Sequence, residues 1–146
     1  MPSILFFLGI LLAVAVLQAT GVLAAIAAWL DEYVSNVYLI NILLGMMSSI
    51  FDNVPLVAGV MGMYPLSDPS AVGHAAYFMQ DGIFWEFLSY CAGVGGSLLI
   101  IGSAAGVIAM GLEKINFGWY LKKFTIPALL GYLAGAATYI LEVLIS

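Results

Sequence analysis

Long apolar stretches dominate the chain, and polar or helix-breaking residues interrupt two of them. The first stretch, 3–30, contains no charged residue, and a helix of about 20 apolar residues is enough to cross a bilayer. We therefore predict a transmembrane helix over 3–30. The last stretch, 124–145, is mostly apolar and has one charged residue, Glu142, near its end, and it predicts another transmembrane helix.

A third stretch, 37–64, is interrupted in its middle by FDNVP at 51–55. Pro55 has no amide hydrogen and its ring clashes with the preceding turn, so a continuous helix is not expected there. The half-helices on either side are too short to span a bilayer. Two short arms joined by a tip at 51–55 favour a re-entrant hairpin, and a single broken span is the alternative.

A fourth stretch, 83–112, is rich in glycine at its centre, where the chain reads AGVGGSLLIIGSAAG over 92–106. Helix packing alone does not require so much glycine, which weakens a helix in its interior. We therefore predict a discontinuous transmembrane helix that is broken near 94–103. The glycines expected to form the backbone of this break are Gly95, Gly96 and Gly102.

Two loops orient the segments. The loop 113–123 holds every basic residue of the chain, namely Lys114, Lys122 and Lys123. Cytoplasmic loops of membrane proteins carry an excess of Lys and Arg, so we predict that 113–123 is cytoplasmic and that the polar loop 65–82 is external. His74 in the external loop is either simply solvated or responsive to protons.

The composition indicates one all-α integral membrane domain over 1–146. Hydrophobic residues make up 64% of the chain and charged residues only 8%, whereas a soluble domain carries about 25% charged residues. We predict a multi-pass protein of the cell inner (plasma) membrane, with the lipid bilayer as its main partner. The chain has no basic patch, which argues against nucleic acid as a partner. Nothing in the motifs indicates an enzyme or a cofactor.

The two interruptions point to an ion site. Unpaired backbone groups are tolerated in a membrane only where protein buries them or water reaches them, so we expect the two breaks to meet, as in the midplane sites of secondary transporters. Asp52 supplies an anionic oxygen and Asn53 a neutral carbonyl, and oxygen ligands suit a small hard cation such as Na⁺ or Li⁺. Hydroxyl groups that can add ligands belong to Ser48, Ser49, Ser97 and Ser103.

Asp52 is expected to bind both the cation and a proton. Apolar surroundings favour the protonated form of a carboxyl group, whereas a bound cation favours the ionised form. Competition of Na⁺ and H⁺ for one group is sufficient for exchange. In the alternative interpretation, Asp52 only caps the second half-helix.

Two long motifs, SSIFDNVPLVAGVMGMY and AGVGGSLLIIGSAAGVIAMG, resemble the paired signatures of the NhaD-type sodium/proton antiporters. These belong to the ion transporter superfamily, together with arsenite permeases and dicarboxylate carriers. The resemblance implies an inverted-repeat transporter fold, in which each repeat supplies a re-entrant hairpin and a broken helix. It further implies that 48–55 is an outer hairpin tip, that 95–106 is the broken helix, and that the site residues are Asp52, Asn53, Ser97 and Ser103.

The chain departs from this family in two respects. Family members are much longer and hold both repeats, so we expect a fragment, a split-gene product or a remnant that needs a missing N-terminal half, a second membrane chain or another copy of itself. Val94 also stands where the family often has threonine. The alternatives are an arsenite or organic-anion permease of the same superfamily, and a structural membrane subunit that transports nothing.

Overall fold

A computed structural model describes residues 2–146, which fold into eight α-helices and one short 3-10 helix without any strand. The expectation of an all-α protein is confirmed. The helices are α1 (Pro2–Ala19), α2 (Val22–Tyr33), α3 (Val37–Met47), α4 (Asn53–Met63), α5 (Ile83–Gly95), α6 (Ala104–Leu112), α7 (Phe117–Lys123) and α8 (Thr125–Ile145). The 3-10 helix, Gly73–Phe78, lies in the loop between α4 and α5.

The stretch predicted as one helix over 3–30 is divided into α1 and α2. The division lies at Thr20 and Gly21, where Gly21 has a φ of 78° in the left-handed region that glycine adopts at little cost. The Thr20 hydroxyl donates to the carbonyl oxygen of Leu17 at 3.0 Å. Within 2–146, α1 and α8 are the helices long and apolar enough to cross a membrane.

The first break, between α3 and α4, covers 48–52, slightly before the predicted tip at 51–55. Pro55 lies in the first turn of α4, and Val54 before it is also helical. The first amide hydrogens of a helix have no partner within it, so a proline in that turn removes no hydrogen bond. Pro55 therefore follows the break rather than forming it.

The second break, between α5 and α6, covers 96–103 and falls within the predicted range. Ile100 in this break has a φ of 62°, which is a strained conformation for a β-branched side chain. Ser103 ends the break as the N-cap of α6, and its hydroxyl oxygen accepts a hydrogen bond from the Gly106 amide at 3.2 Å. The backbone of the second break is thus held in a defined, strained path.

Helices α3 and α5 pack side by side and run parallel. Near their starts, the Asn41 amide nitrogen donates to the carbonyl oxygen of Phe84 at 3.2 Å. Near their ends, the Ser48 hydroxyl donates to the carbonyl oxygen of Ala92 at 2.8 Å. Because both contacts follow the same order along the two helices, the breaks that follow α3 and α5 lie at the same end of the pair.

Helix α8 runs antiparallel to α5. Its first residue, Thr125, contacts Leu98, whereas Tyr139 near its other end donates to Glu86 at 3.0 Å. Between them, the fully buried Tyr132 donates to the carbonyl oxygen of Ile42 in α3 at 2.8 Å. Helix α8 is therefore fastened to both members of the parallel pair.

A hydrophobic core forms at the end of the molecule opposite the breaks. It joins α2, the start of α3, the end of α4, the 3-10 helix and the start of α5. Tyr64 at the end of α4 stacks on Phe78, with ring centroids 5.0 Å apart, and also contacts Phe84. The start of α3 and the end of α4 thus share one core, so both arms around the first break have their far ends in the same region.

Candidate ion site at the two helix breaks

The two breaks touch each other through their main chains. A Cβ atom at Gly102 would collide with the carbonyl oxygen of Ser48, and one at Gly95 would collide with the carbonyl oxygen of Gly45. Only glycine allows two backbones to approach this closely. Glycine is therefore needed at 95 and 102 for close packing of the two main chains, in addition to its effect on helix conformation.

The contact of Gly95 with Gly45 brings two helix C-termini together, because α5 ends at Gly95 and α3 ends at Met47. The C-terminal end of a helix carries a partial negative charge and unpaired carbonyl oxygens. Two such ends side by side attract a cation and repel an anion. Helices α4 and α6 begin on the far side of each break and direct their amide hydrogens into it.

The four predicted serine ligands occupy different positions. Ser48 and Ser49 are buried at the contact, and the Ser49 hydroxyl donates to the carbonyl oxygen of Met46 at 2.6 Å. Ser97 is exposed, and its hydroxyl donates to the carbonyl oxygen of Val94 at 2.7 Å. A hydroxyl that donates its proton keeps lone pairs for a cation, but the Ser48 side chain is 0% exposed and is closed to solvent here.

Asp52 lies at the N-cap position of α4, but its side chain makes no capping hydrogen bond. It is half-buried, whereas Asn53 beside it is exposed. Asp52 also lines a cleft of about 500 Å³ between α2, α3 and α4, whose walls are otherwise almost entirely apolar. The Asp52 side chain therefore does not cap α4, which was the alternative interpretation of this residue.

The structure brings Ser48 and Ser49 against Gly102, but it places Asp52 in a cleft with no lining residue from the second break. A shared role of Asp52, Asn53, Ser97 and Ser103 in binding one ion stays a prediction. Among residues 2–146, no group of three His, Cys, Asp or Glu side chains is arranged to hold a metal ion.

Sequence reasoning did not single out Asn41, a fully buried side-chain amide that joins the starts of α3 and α5. Asn41 is 0% exposed, and within the described residues its side-chain oxygen has no hydrogen-bond partner. The one available signal was a polar residue inside the apolar run VYLINILL. Interhelical hydrogen bonds from such amides fasten membrane helices to one another.

Sequence reasoning also missed two hydroxyl groups at the second break. Tyr120 in α7 donates to the carbonyl oxygen of Ser97 at 2.6 Å, and Thr125 in α8 donates to that of Leu98 at 2.7 Å. The first contact brings α7, which carries Lys122 and Lys123 in its last turn, against the second break. Both lysine side chains are exposed.

The charges are divided between the two ends of the molecule. The end with the hydrophobic core carries acids at the end of α2, in the loop after α4, at the start of α5 and near the end of α8. Those acids are Asp31, Glu32, Asp68, Asp81, Glu86 and Glu142. All the lysines follow α6 or lie in α7, on the other side of the breaks, together with one acid, Glu113.

Comparison with known proteins places the chain among transporters. A family model described as citrate transporter matches residues 1–80, which is more than half of the 146 residues. The sodium/proton antiporter 2 of Arabidopsis thaliana is 52% identical over 93% of this chain, which spans 30% of that relative. The Na(+)/H(+) antiporter NhaD of Vibrio cholerae is 35% identical over 95% of this chain, which spans 26% of it. No solved structure matches the chain.

These matches confirm the resemblance to NhaD-type antiporters that the two motifs indicated. They also confirm a multi-pass membrane protein of a transporter family rather than an enzyme. The chain spans about a third or less of the length of the curated relatives it matches. Because the family model covers more than half of it, the chain belongs to the citrate transporter family.

Proposed function

We propose that the chain supplies one part of the ion pathway of a Na⁺/H⁺ antiporter in the plasma membrane, with Li⁺ as an alternative cation. The observation that carries the proposal is the main-chain contact between the two breaks, Gly102 against Ser48 and Ser49. Beside this contact the C-terminal ends of α3 and α5 meet, at Gly45 and Gly95, and their partial charges favour a cation. The names of the relatives supply the choice of Na⁺ and H⁺.

Asp52 is the proposed exchange group, with Asn53 as a neutral oxygen ligand for the cation. Three features support this role: Asp52 is half-buried, its side chain caps nothing, and it borders an apolar cleft. A carboxylate binds either a proton or a cation, and competition between the two for one group is sufficient for exchange. Ionisable groups inside membrane segments are functional by default. Ser97 and Ser103 are proposed as weaker ligands on the second break.

The site is proposed to be completed by further membrane segments, either from the rest of a longer protein or from a second chain or copy. Helices α1 and α6 support this, because no described side chain of either is buried. In each of these relatives, the sequence outside the matched part is more than twice as long as the matched part. In the proposed inverted-repeat fold, α3 and α4 form the outer re-entrant hairpin, and α5 and α6 form the discontinuous helix.

A second candidate, an organic-anion permease, is favoured by two observations. The matching family model is described as citrate transporter, and α7, which carries two lysines, contacts the second break through Tyr120. Against it, the C-terminal ends of α3 and α5 lie side by side where the breaks begin and repel anions, whereas the N-termini of α4 and α6, which attract anions, lie at the far side of each break. Uptake of labelled citrate distinguishes this candidate from the antiporter.

The test uses a chimera, because the curated relatives are longer than this chain. The matching segment of the Arabidopsis thaliana sodium/proton antiporter 2, which is 52% identical over 136 residues, is replaced by this chain. Na⁺-induced proton release is then measured in inside-out vesicles. We expect exchange by the chimera, loss of exchange with Asp52→Asn, and no loss with Glu113→Gln, which alters an exposed acid at the end of α6.

Each outcome has one meaning. Full activity of the Asp52→Asn chimera would remove Asp52 from the mechanism and leave it a structural residue. Citrate uptake in place of Na⁺-induced proton release would favour the organic-anion permease. Exchange by this chain expressed alone would show that copies of it complete the site without further segments.

A further inference from the structure

Two consecutive carbonyl oxygens of the second break are held by hydroxyl groups from elsewhere in the chain. The Tyr120 hydroxyl lies 2.6 Å from the carbonyl oxygen of Ser97, and the Thr125 hydroxyl lies 2.7 Å from that of Leu98. The partners are 23 and 27 residues apart along the chain. These bonds are therefore tertiary contacts rather than features of a local turn.

These two carbonyl groups lie just after the end of α5, where the regular hydrogen bonding of the helix stops. The amides of Ser97 and Leu98 still bond back to the carbonyl oxygens of Val94 and Gly95, at 3.0 and 3.1 Å. The carbonyls of Ser97 and Leu98 come next and have left the regular helix. Carbonyl oxygens released in this way line the cation sites of transporters with broken helices.

Packing of Phe124 fixes the two residues that carry these hydroxyl groups, Tyr120 and Thr125. Phe124 alone separates α7 from α8, and its ring stacks on that of Tyr120 with centroids 5.4 Å apart. It also packs against Trp119 at 5.4 Å. Tyr120 and Thr125 are thus fixed relative to each other, and so are the two oxygens that they hold.

We propose that Tyr120 and Thr125 are positioning residues that set the direction of the Ser97 and Leu98 carbonyl oxygens at the cation site. The inference rests on the proposed function and deepens it. A carbonyl oxygen has two lone pairs, so a hydroxyl group can hold one while the other faces the cation. Neither Tyr120 nor Thr125 touches the cation itself.

The experiment first compares four substitutions in the chimera described above. Tyr120→Phe and Thr125→Val each remove one of the two hydroxyl groups. Tyr139→Phe removes a hydroxyl bonded to Glu86 at the other end of α8, and Thr138→Val removes one bonded to Ala134 of its own helix at 2.9 Å. The measurement is the Na⁺ concentration that gives half-maximal proton release in inside-out vesicles, together with the maximal rate.

We expect Tyr120→Phe and Thr125→Val each to raise the half-maximal Na⁺ concentration by roughly threefold to tenfold, as the loss of one hydrogen bond implies. The maximal rate should change less, and both control substitutions should leave the half-maximal concentration unchanged. Thr125→Ser keeps the hydroxyl and should restore the original value. A general loss of packing would not be rescued in this way.

Several results would overturn the inference. If the unsubstituted protein exchanges Na⁺ for H⁺ and neither substitution changes its half-maximal concentration, the positioning role is wrong while the proposed function stands. If both substitutions prevent accumulation in the membrane and the controls do not, the two hydroxyl groups are needed for folding rather than for ion binding. Absence of exchange by the unsubstituted protein would reject the proposed function and this inference with it.

Discussion

The hydroxyl group of Ser48 donates a 2.8 Å hydrogen bond to the carbonyl oxygen of Ala92, a residue 44 positions further along the chain. Both residues are buried where α3 ends beside α5. A side chain that the sequence marks as a candidate ion ligand thus connects the two helices whose ends form the candidate site. Loss of the Ser48 hydroxyl group should therefore lower the stability of the protein more than it weakens ion binding.

Replacing Ser48 with alanine should lower stability by about 1 kcal/mol, the usual net value of a buried hydrogen bond. The measurement is the thermal unfolding midpoint of the purified protein in detergent. Ser89→Ala is the matched control, because the exposed Ser89 hydroxyl bonds only to Trp85 of its own helix. Equal midpoints for the two variants would contradict a connecting role for Ser48.

Replacing Gly102 with alanine should separate the two breaks. The added methyl group would collide with the carbonyl oxygen of Ser48, and overpacking of this kind costs about 1–3 kcal/mol. We expect strongly reduced exchange in vesicles as well as lower stability. Gly93→Ala is the control, because a methyl group there meets open space and should stabilise α5 by up to about 1 kcal/mol. Similar behaviour of the two variants would disprove a close contact at Gly102.

Replacing the buried Asn41 with an apolar residue should destabilise the protein less than replacing it with a charged one. In Asn41→Leu the bond to Phe84 and the unpartnered oxygen are lost together, so stability should change by less than about 1.5 kcal/mol. In Asn41→Asp a charge is buried without a partner, and destabilisation should grow as the pH rises and the carboxyl group ionises. Thermal unfolding between pH 5 and pH 9 measures both effects.

Asn116→Asp supplies the control for this comparison. Asn116 is exposed and caps α7 by accepting a hydrogen bond from the Gly118 amide at 2.8 Å. Aspartate caps helices about as well as asparagine, so this variant should not become less stable towards alkaline pH. A flat pH profile for Asn41→Asp would mean that the position is hydrated.

Ile100 should be a strained residue whose replacement by glycine adds stability. Its φ of 62° costs a residue with a side chain about 1–2 kcal/mol, and glycine bears no such cost. We expect a higher unfolding midpoint for Ile100→Gly, with weaker exchange because the second break becomes looser. Ile101→Gly, at a neighbouring exposed residue outside the left-handed region, should lower the midpoint instead. Lower stability in both variants would show that packing of Ile100 outweighs its strain.

The positions of both breaks could be predicted from the sequence because their causes are local. Glycine in 92–106 and proline at 55 weaken a helix wherever it lies. The first break was nevertheless predicted slightly late, since a proline is as compatible with the start of the next helix as with the break itself. A single glycine at 21 gave too weak a local signal to predict that the first span is divided.

The partners of the breaks could not be predicted, because they depend on long-range packing. Nothing in the residues around Ser97 indicates that Tyr120 holds its carbonyl oxygen. Likewise, the burial of Asn41 follows from the parallel packing of α3 and α5. Periodicity predicts that an element exists, but it does not predict which neighbour it faces. The roles of Asp52 and Asn53 in ion binding stay a prediction.

The close approach of Gly95 and Gly102 to the main chain of α3 also bears on how this segment can change in evolution. Where two helices meet through large side chains, a loss on one side can be compensated by a gain on the other. Where main chain meets main chain, no second substitution restores the distance. Glycine should therefore persist at 95 and 102 across relatives, while positions 9, 93 and 111, where a side chain would meet open space, should vary freely.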